Sequence, residues 1–591
     1  MNNNLFCLAV ISLALSACSL NEEQKLPVGA PSGATKSIEY DARKREERVA
    51  AEAVPAGEAG HVPLSVATVQ DQSGMAPSRP CCFLAYTPQD RESYEHFDEN
   101  PVKLVREQPV STFSIDVDTG SYANVRRFLN AGTLPPEDAV RVEELLNYFD
   151  YEYPVPTGRE RPFSVTTSLA PAPWNADKLL LQVGLKGYEI PAERRAAANL
   201  VFLIDVSGSM QDRDKLPLLK SAFRLLTRQM KASDRVALVV YAGAAGAVLD
   251  PTPGNQQAKI NAALERLEAG GSTNGAGGIR LAYDFARQGF IKGGINRIVL
   301  ATDGDFNVGT TDFDALIDIV ERERDGGISL TTLGFGTGNY NDELLERLAD
   351  AGNGNYAYID TLGEGRKVLV EQLSGTLQTI AKDVKIQVEF NPAAVAEYRL
   401  IGYENRMLRR EDFNNDRIDA GDIGAGHTVT ALYELTLNNS PARLVDPLRY
   451  GDSPSATAER SKSAIAAELA NVRLRYKAPD GDTSRLIEQP VLRADIRELA
   501  DLPGKQSRDL QFAAAVAAFG QKLRGGEYLD GFDYPQIATL AAGARGDDPS
   551  GYRGEFLSLV KLADTLAIAA NRPGGASDAG HNATVDPQVR R

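Results

Sequence analysis

The pattern of apolar and polar positions changes character along the chain. Phe163, Val165, Thr167 and Leu169 alternate with Ser164, Thr166 and Ser168, and Leu181, Val183 and Leu185 continue the period. A period of two with one polar side predicts strands of a sheet with one face in water. Between about Asn199 and Asp383 the strands are apolar on both faces and alternate with helices: Leu200 to Ile204, Val236 to Tyr241, Ile298 to Ala301 and Ile328 to Phe335. Such runs predict a largely parallel sheet covered on each side and joined by right-handed crossovers. Half-exposed strands then return. Val384, Ile386, Val388 and Phe390 alternate with Lys385, Gln387 and Glu389, and Val472, Leu474 and Tyr476 with Arg473, Arg475 and Lys477. Finally, Leu510 to Leu523 and Phe556 to Ala570 carry apolar residues at helical spacing, with Lys561 and Asp564 arguing against a membrane span.

These shifts predict an α/β fold class: a Rossmann-like, doubly wound, mostly parallel sheet inserted between β-rich flanks, followed by a helical segment. Strands of one kind on both sides of the α/β unit point to one β-rich domain built from both flanks, with two separate flanking domains as the alternative. The expected boundaries are a leader over 1–17, an anchor and tether rich in Ala, Gly, Pro and charge over 18–100, and an N-terminal α+β flank over 101–198. The α/β unit follows over 199–383, then a C-terminal β-rich flank over 384–507, helices over 508–570 and a polar tail over 571–591. The first flank opens with a strand-like Thr112 to Val117 and closes with a helix-like Val140 to Phe149.

Composition narrows the function. The 591 residues include 80 acidic and 64 basic side chains, a formal net charge of −16, which excludes a nucleic-acid binder relying on phosphate contacts. An apolar share of 43% excludes a wholly disordered chain, and 4 cysteines exclude a disulfide mini-scaffold. Leu5 to Ala17 form an apolar run too short to span a membrane, ending in Leu15-Ser16-Ala17-Cys18. This ending resembles the bacterial lipobox, although Met1-Asn2-Asn3-Asn4 brings no Lys or Arg. The resemblance implies cleavage before Cys18, lipid (palmitate) on that residue, and a place in the cell envelope; Ser19 after it favours the outer membrane. Cys81 and Cys82 are adjacent, too close for an unstrained mutual disulfide, which leaves an intermolecular bridge, a reactive pair, or two exposed thiols without a role.

The decisive segment is the buried strand Leu200-Val201-Phe202-Leu203-Ile204 running into Asp205-Val206-Ser207-Gly208-Ser209. A carboxylate at a strand end and two hydroxyls on the turn after it can converge on one hard cation, at the carboxyl ends of the strands of an α/β sheet, where ligands bind. Thr273 in Gly271-Ser272-Thr273-Asn274 and Asp303 in Ala301-Thr302-Asp303-Gly304 offer two further oxygens. The set resembles the von Willebrand factor type A family, whose metal-ion-dependent adhesion site is Asp-x-Ser-x-Ser with a distant Thr and a distant Asp. That resemblance implies hydroxyl ligands from Ser207, Ser209 and Thr273, and Asp205 and Asp303 acting directly or through water. It implies Mg²⁺ as the cation, with Mn²⁺ or Ca²⁺ as alternatives, and a protein partner that completes the site with an acidic side chain.

Further stretches resemble a bacterial lipoprotein subfamily: Thr112 to Thr119, Leu134-Pro135-Pro136 and Asn147-Tyr148-Phe149 before the unit, Thr302 to Gly309 and Gly352 to Tyr358 within it, and Ile401 to Arg406 after it. The expected function is non-enzymatic binding. A hydrolase using the same cation with Asp305 as base, and a metal-independent scaffold, are the alternatives. Asp118-Thr119-Gly120-Ser121 matches an aspartic-protease signature but lacks the second one that a carboxylate pair needs. Asp412, Asn414 and Asp416 have calcium-loop spacing, yet Arg417 and Ile423 stand where Gly and Glu are required.

Overall fold

The computed structural model describes residues 91–570 apart from 159, 272–274, 305–312, 373–374, 376 and 447–466. The N-terminal flank supplies β1 (Lys103–Leu104), β2 (Val110–Ser114), β3 (Phe163–Ala172) and β4 (Asn175–Gly187). The central unit supplies β5 (Ala198–Asp205), β6 (Arg235–Tyr241), β7 (Ala245–Pro253), β8 (Ile295–Thr302), β9 (Ser329–Phe335) and β10 (Tyr356–Ile359). The C-terminal flank supplies β11 (Thr379–Phe390), β12 (Val395–Ile401), β13 (Ile423–Gly424), β14 (Thr428–Leu437), β15 (Glu468–Lys477) and β16 (Ser484–Leu492).

Both flank sheets draw strands from both ends of the chain. One has the order β1-β12-β14-β4-β3; the other runs β13-β11-β15-β16 and takes β2 onto β11. Leu181 of β4 lies opposite Tyr433 of β14, and Phe113 of β2 opposite Ile386 of β11. The apolar alternation explains the outcome. Leu181, Val183 and Leu185 share one core with Phe113, Ile386, Val388, Tyr433 and Leu474, so each flank buries its apolar face against the other. At about 1.5–3 kcal/mol for each fully buried large apolar side chain, neither half retains that stabilisation alone. The flanks form one sandwich, and the alternative of two separate flanking domains is excluded.

The central sheet has the order β10-β9-β8-β5-β6-β7, parallel throughout except for β7, which runs antiparallel to β6. Leu200, Phe202 and Ile204 enter the core on one face, while Val201 and Leu203 enter the core on the other. Two of its strands have no counterpart in the apolar pattern. β7 reads Ala-Gly-Ala-Val-Leu-Asp-Pro-Thr-Pro, and β10 has only 4 residues.

The helices Gly504–Leu523, Tyr534–Gly543 and Tyr552–Ala570 do not stand apart. Phe512, Phe519 and Phe556 share a core with Tyr122 and Leu145, from the helices Gly120–Asn130 and Val142–Asn147, and with Leu180 and Leu432 of the first sheet. The first of them begins at Gly504 rather than near Leu510; its opening Gly-Lys-Gln-Ser-Arg-Asp is polar and shows no apolar period to mark the start. Among the described residues, no helix is long and apolar enough to cross a membrane.

Residues 91–100 differ from the expected tether. The Arg91 N–H donates to Gly338 O at 3.0 Å and the Ser93 N–H to Tyr340 O at 2.9 Å, while Glu92 accepts from Arg127 Nη2 at 2.8 Å. Backbone pairing needs no apolar side chains, so composition gave no sign of it.

Candidate metal centre

β5 and β8 are neighbours, with Ile204 opposite Ala301, so Asp205 and Asp303 leave the sheet side by side at the carboxyl ends of parallel strands. Both are fully buried. Oδ1 of Asp205 accepts the Ser207 N–H at 2.8 Å; Oδ2 accepts the hydroxyls of Thr302 at 2.9 Å and Tyr241 at 3.2 Å. Those bonds fix the carboxylate and shape the turn. Oγ of Ser207 and Oγ of Ser209 lie 3.0 Å apart, the first buried and the second half-buried beside exposed Gly208, so the turn gives the site its opening to solvent. Burial pushes the Asp205 carboxyl up to about 6; the Ser207 N–H and hydroxyl oppose the shift, and the nearby charge of Asp303 adds to it.

The structure therefore brings Asp205, Ser207, Ser209 and Asp303 together. Thr273 and Asp305 lie outside the described residues, as do Cys18, Cys81 and Cys82. The Gly208 N–H donates to Gly271 O at 3.1 Å and the Gly270 N–H to Val206 O at 2.7 Å, so the loop two residues before Thr273 is fastened to the Asp-x-Ser-x-Ser turn. The donor set is all oxygen, two hydroxyls and two buried carboxylates, which is the chemistry that Mg²⁺ takes. Among the described residues, no three or more His, Cys, Asp and Glu gather as a metal cluster.

Three contributors were invisible in the motif. Tyr241 lies opposite Asp205 as the last residue of β6, a relationship that only strand register reveals. Thr302 is the residue before Asp303 at the end of β8. Lys215 comes from the start of the helix Leu216–Thr227, its side chain 4% exposed, and its Nζ donates to Oδ2 of Asp303 at 2.9 Å and to Oδ1 of Asn339 at 3.0 Å. Six residues beyond Ser209, in a polar stretch, it reads as an ordinary surface lysine.

The other acidic motifs serve the architecture. Oδ1 of Asp118 accepts the Tyr356 N–H at 2.8 Å, Ser121 Oγ donates to Ala139 O at 2.7 Å, and the Ser121 N–H donates to Oε2 of Glu144 at 2.7 Å. The protease-like sequence is thus a buried seat for the central unit. Asp412 accepts from the Arg409 N–H at 3.1 Å and Asp416 from the Ser484 N–H at 3.3 Å, so these two carboxylates of the calcium-like spacing serve different partners.

Residues 200–305 match the model of the von Willebrand factor type A domain, residues 88–182 a model described as von Willebrand factor, and residues 375–566 one described as uncharacterized protein YfbK, C-terminal. The inter-alpha-trypsin inhibitor heavy chain H3 of Pongo abelii is 23% identical over 352 residues, 52% of this chain and 39% of that protein. A solved structure, von Willebrand factor type A from Catenulispora acidiphila, is 17% identical and covers 68% of this chain and 91% of its own, with a TM-score of 0.36. The Escherichia coli (strain K12) protein described as uncharacterized protein YfbK is 51% identical over 478 residues, 80% of this chain and 81% of that one. The chain belongs to the YfbK family, whose central unit here is a von Willebrand factor type A domain.

Proposed function

We propose that this chain is a non-enzymatic binding protein that grips a protein partner through a divalent cation, Mg²⁺ in the first instance. Von Willebrand factor type A domains commonly mediate protein interactions. The observation that carries the reading is the pair of serine hydroxyls 3.0 Å apart on the turn after Asp205, with Asp303 at the end of the adjacent parallel strand. Asp205, Ser207, Ser209 and Asp303 would hold the cation, joined by Thr273 on the resemblance to the family motif. When bound, the cation supplies a Lewis-acidic position for a carboxylate of the partner. The chain's own residues do the preparatory work. Tyr241 and Thr302 hold Asp205, Lys215 holds Asp303, and the half-buried Ser209 leaves an approach from solvent.

The same proposal places the protein on the envelope through lipid on Cys18, with the folded body carried on the segment that follows. Partner capture by the purified protein, compared in Mg²⁺ and in EDTA and repeated with Asp205→Ala, tests the binding. Capture should require the cation and the carboxylate; equal capture in EDTA would overturn the reading. Cys18→Ser should move the protein out of the membrane fraction, and retention there would overturn the anchor.

A further inference from the structure

Lys215 is built into the site rather than draped over it. Its stem crosses the end of β9 at Gly336, which has φ +74 and where a Cβ would stand 2.2 Å from Cε of Lys215. A side chain at position 336 would close that passage. The lysine starts on the segment after β5, passes β9 and ends on Asp303 after β8, so it spans the carboxyl ends of three strands. Lysines are almost never this buried unless a counter-charge holds them, and here the counter-charge is a carboxylate of the cation site. None of the positions of the adhesion motif is a lysine.

We propose that Lys215 couples the two binding events: its ammonium offsets charge that a divalent cation would otherwise use, so the cation binds tightly only together with a carboxylate. This rests on the cation-site reading above. Among the described residues of the site, Asp205 and Asp303 bring two negative charges and Lys215 one positive. A divalent cation then leaves the site with one net positive charge, and an incoming carboxylate neutralises it. Without the lysine, the cation alone neutralises the site and the carboxylate arrives at no net charge. Interactions between charges a few Å apart are stronger in a buried site than in water, so this one-charge difference governs the order of filling. A lysine that only pinned Asp303 in place would have the opposite signature, because its removal would loosen the ligand set and weaken the cation.

The test is Mn²⁺ titration of the full-length protein, wild type and Lys215→Met, with and without excess acetate as the carboxylate probe. The variant should bind Mn²⁺ at least about tenfold more tightly in the absence of acetate. Acetate should tighten Mn²⁺ binding to the wild type and have much less effect on the variant. Lys215→Gln removes the charge while keeping a donor, and should move in the same direction even where the methionine destabilises the fold. Lys215→Arg keeps the charge and should retain the acetate effect. Equal or weaker Mn²⁺ binding by both neutral variants overturns the coupling while leaving the site reading intact. Absence of a saturable site in every protein, with and without acetate, overturns both.

Discussion

The backbone N–H of Tyr356, the first residue of β10, donates to Oδ1 of Asp118 at 2.8 Å, and the ring of the same tyrosine lies where a Cβ on Gly120 would stand, 2.1 Å from Cε1. The flank thus meets the von Willebrand factor type A domain at one residue through both a hydrogen bond and a close approach of backbone to ring. Gly120→Ala forces the ring aside in a fully buried setting and should cost about 1–3 kcal/mol. Denaturant unfolding measures it, and wild-type stability in the variant would show that the ring is not held there.

Arg126 is a second fastening on the same helix. Its guanidinium donates to Oδ2 of Asp360 at 2.8 Å and Oε2 of Glu364 at 2.7 Å, and the Tyr148 hydroxyl adds a bond to that Glu364 oxygen at 2.8 Å. The three charged side chains are at most 6% exposed. Removing the arginine leaves two buried carboxylates without it, so Arg126→Ala should destabilise by about 3–5 kcal/mol. The Arg224 to Glu265 pair, 2.7 Å apart but 42% and 52% exposed, is the control. Screening by water limits Arg224→Ala to at most about 1 kcal/mol. Similar losses in the two variants would contradict the distinction.

Legibility in the sequence followed local pattern. β5 and β8 could be read because their side chains are apolar on both faces, and Leu181 to Leu185 because alternation marks one face; both patterns are local. The candidate site was legible where its residues stand at fixed spacing on one turn, as Asp205, Ser207 and Ser209 do. Asp303 was found through the strand before it. Tyr241 and Lys215 were not legible, because their relation to Asp205 and Asp303 exists only once β6 and β9 are placed beside β5 and β8. The same holds for Asp118, whose motif suggested chemistry while its carboxylate serves the Tyr356 amide. Short or proline-containing strands such as β10 and β7 left no period to read.

Acidity is expected to stabilise the contact between the N-terminal and C-terminal flanks through Glu143. This residue is 1% exposed on the helix Val142–Asn147, and its Oε2 accepts the Tyr403 N–H at 2.9 Å. Burial, with Glu404 and Asp116 adding, pushes its carboxyl up to about 8 from an ordinary value of 4.5. The folded state therefore holds the proton more strongly than the unfolded chain. Its stabilisation is full below the unfolded value and is lost as pH rises through the folded one, at up to about 1.4 kcal/mol per pH unit. Glu143→Gln keeps an acceptor for Tyr403 and cannot ionise. The melting temperature of the variant minus that of the wild type should rise between about pH 5 and about pH 9. A constant difference across that range would remove Glu143 as its source.

Cation binding should be visible in stability without any protein partner once excess acetate supplies the carboxylate. A ligand that binds only the folded state adds about 2.7 kcal/mol at a hundredfold excess over its Kd, so Mg²⁺ should raise the melting temperature and EDTA should reverse the rise. Ser209 separates this effect from general damage. Its hydroxyl is half-buried and bonded to Ser207, whereas Asp205 anchors a backbone N–H and two other hydroxyls. Losing the Ser209 hydroxyl removes one ordinary hydrogen bond, about 0.5–1.5 kcal/mol, and one oxygen of the proposed donor set. Ser209→Ala should therefore melt close to the wild type in EDTA and gain little or nothing from Mg²⁺. A full Mg²⁺ response in Ser209→Ala would place any bound cation elsewhere than on the Asp205 turn.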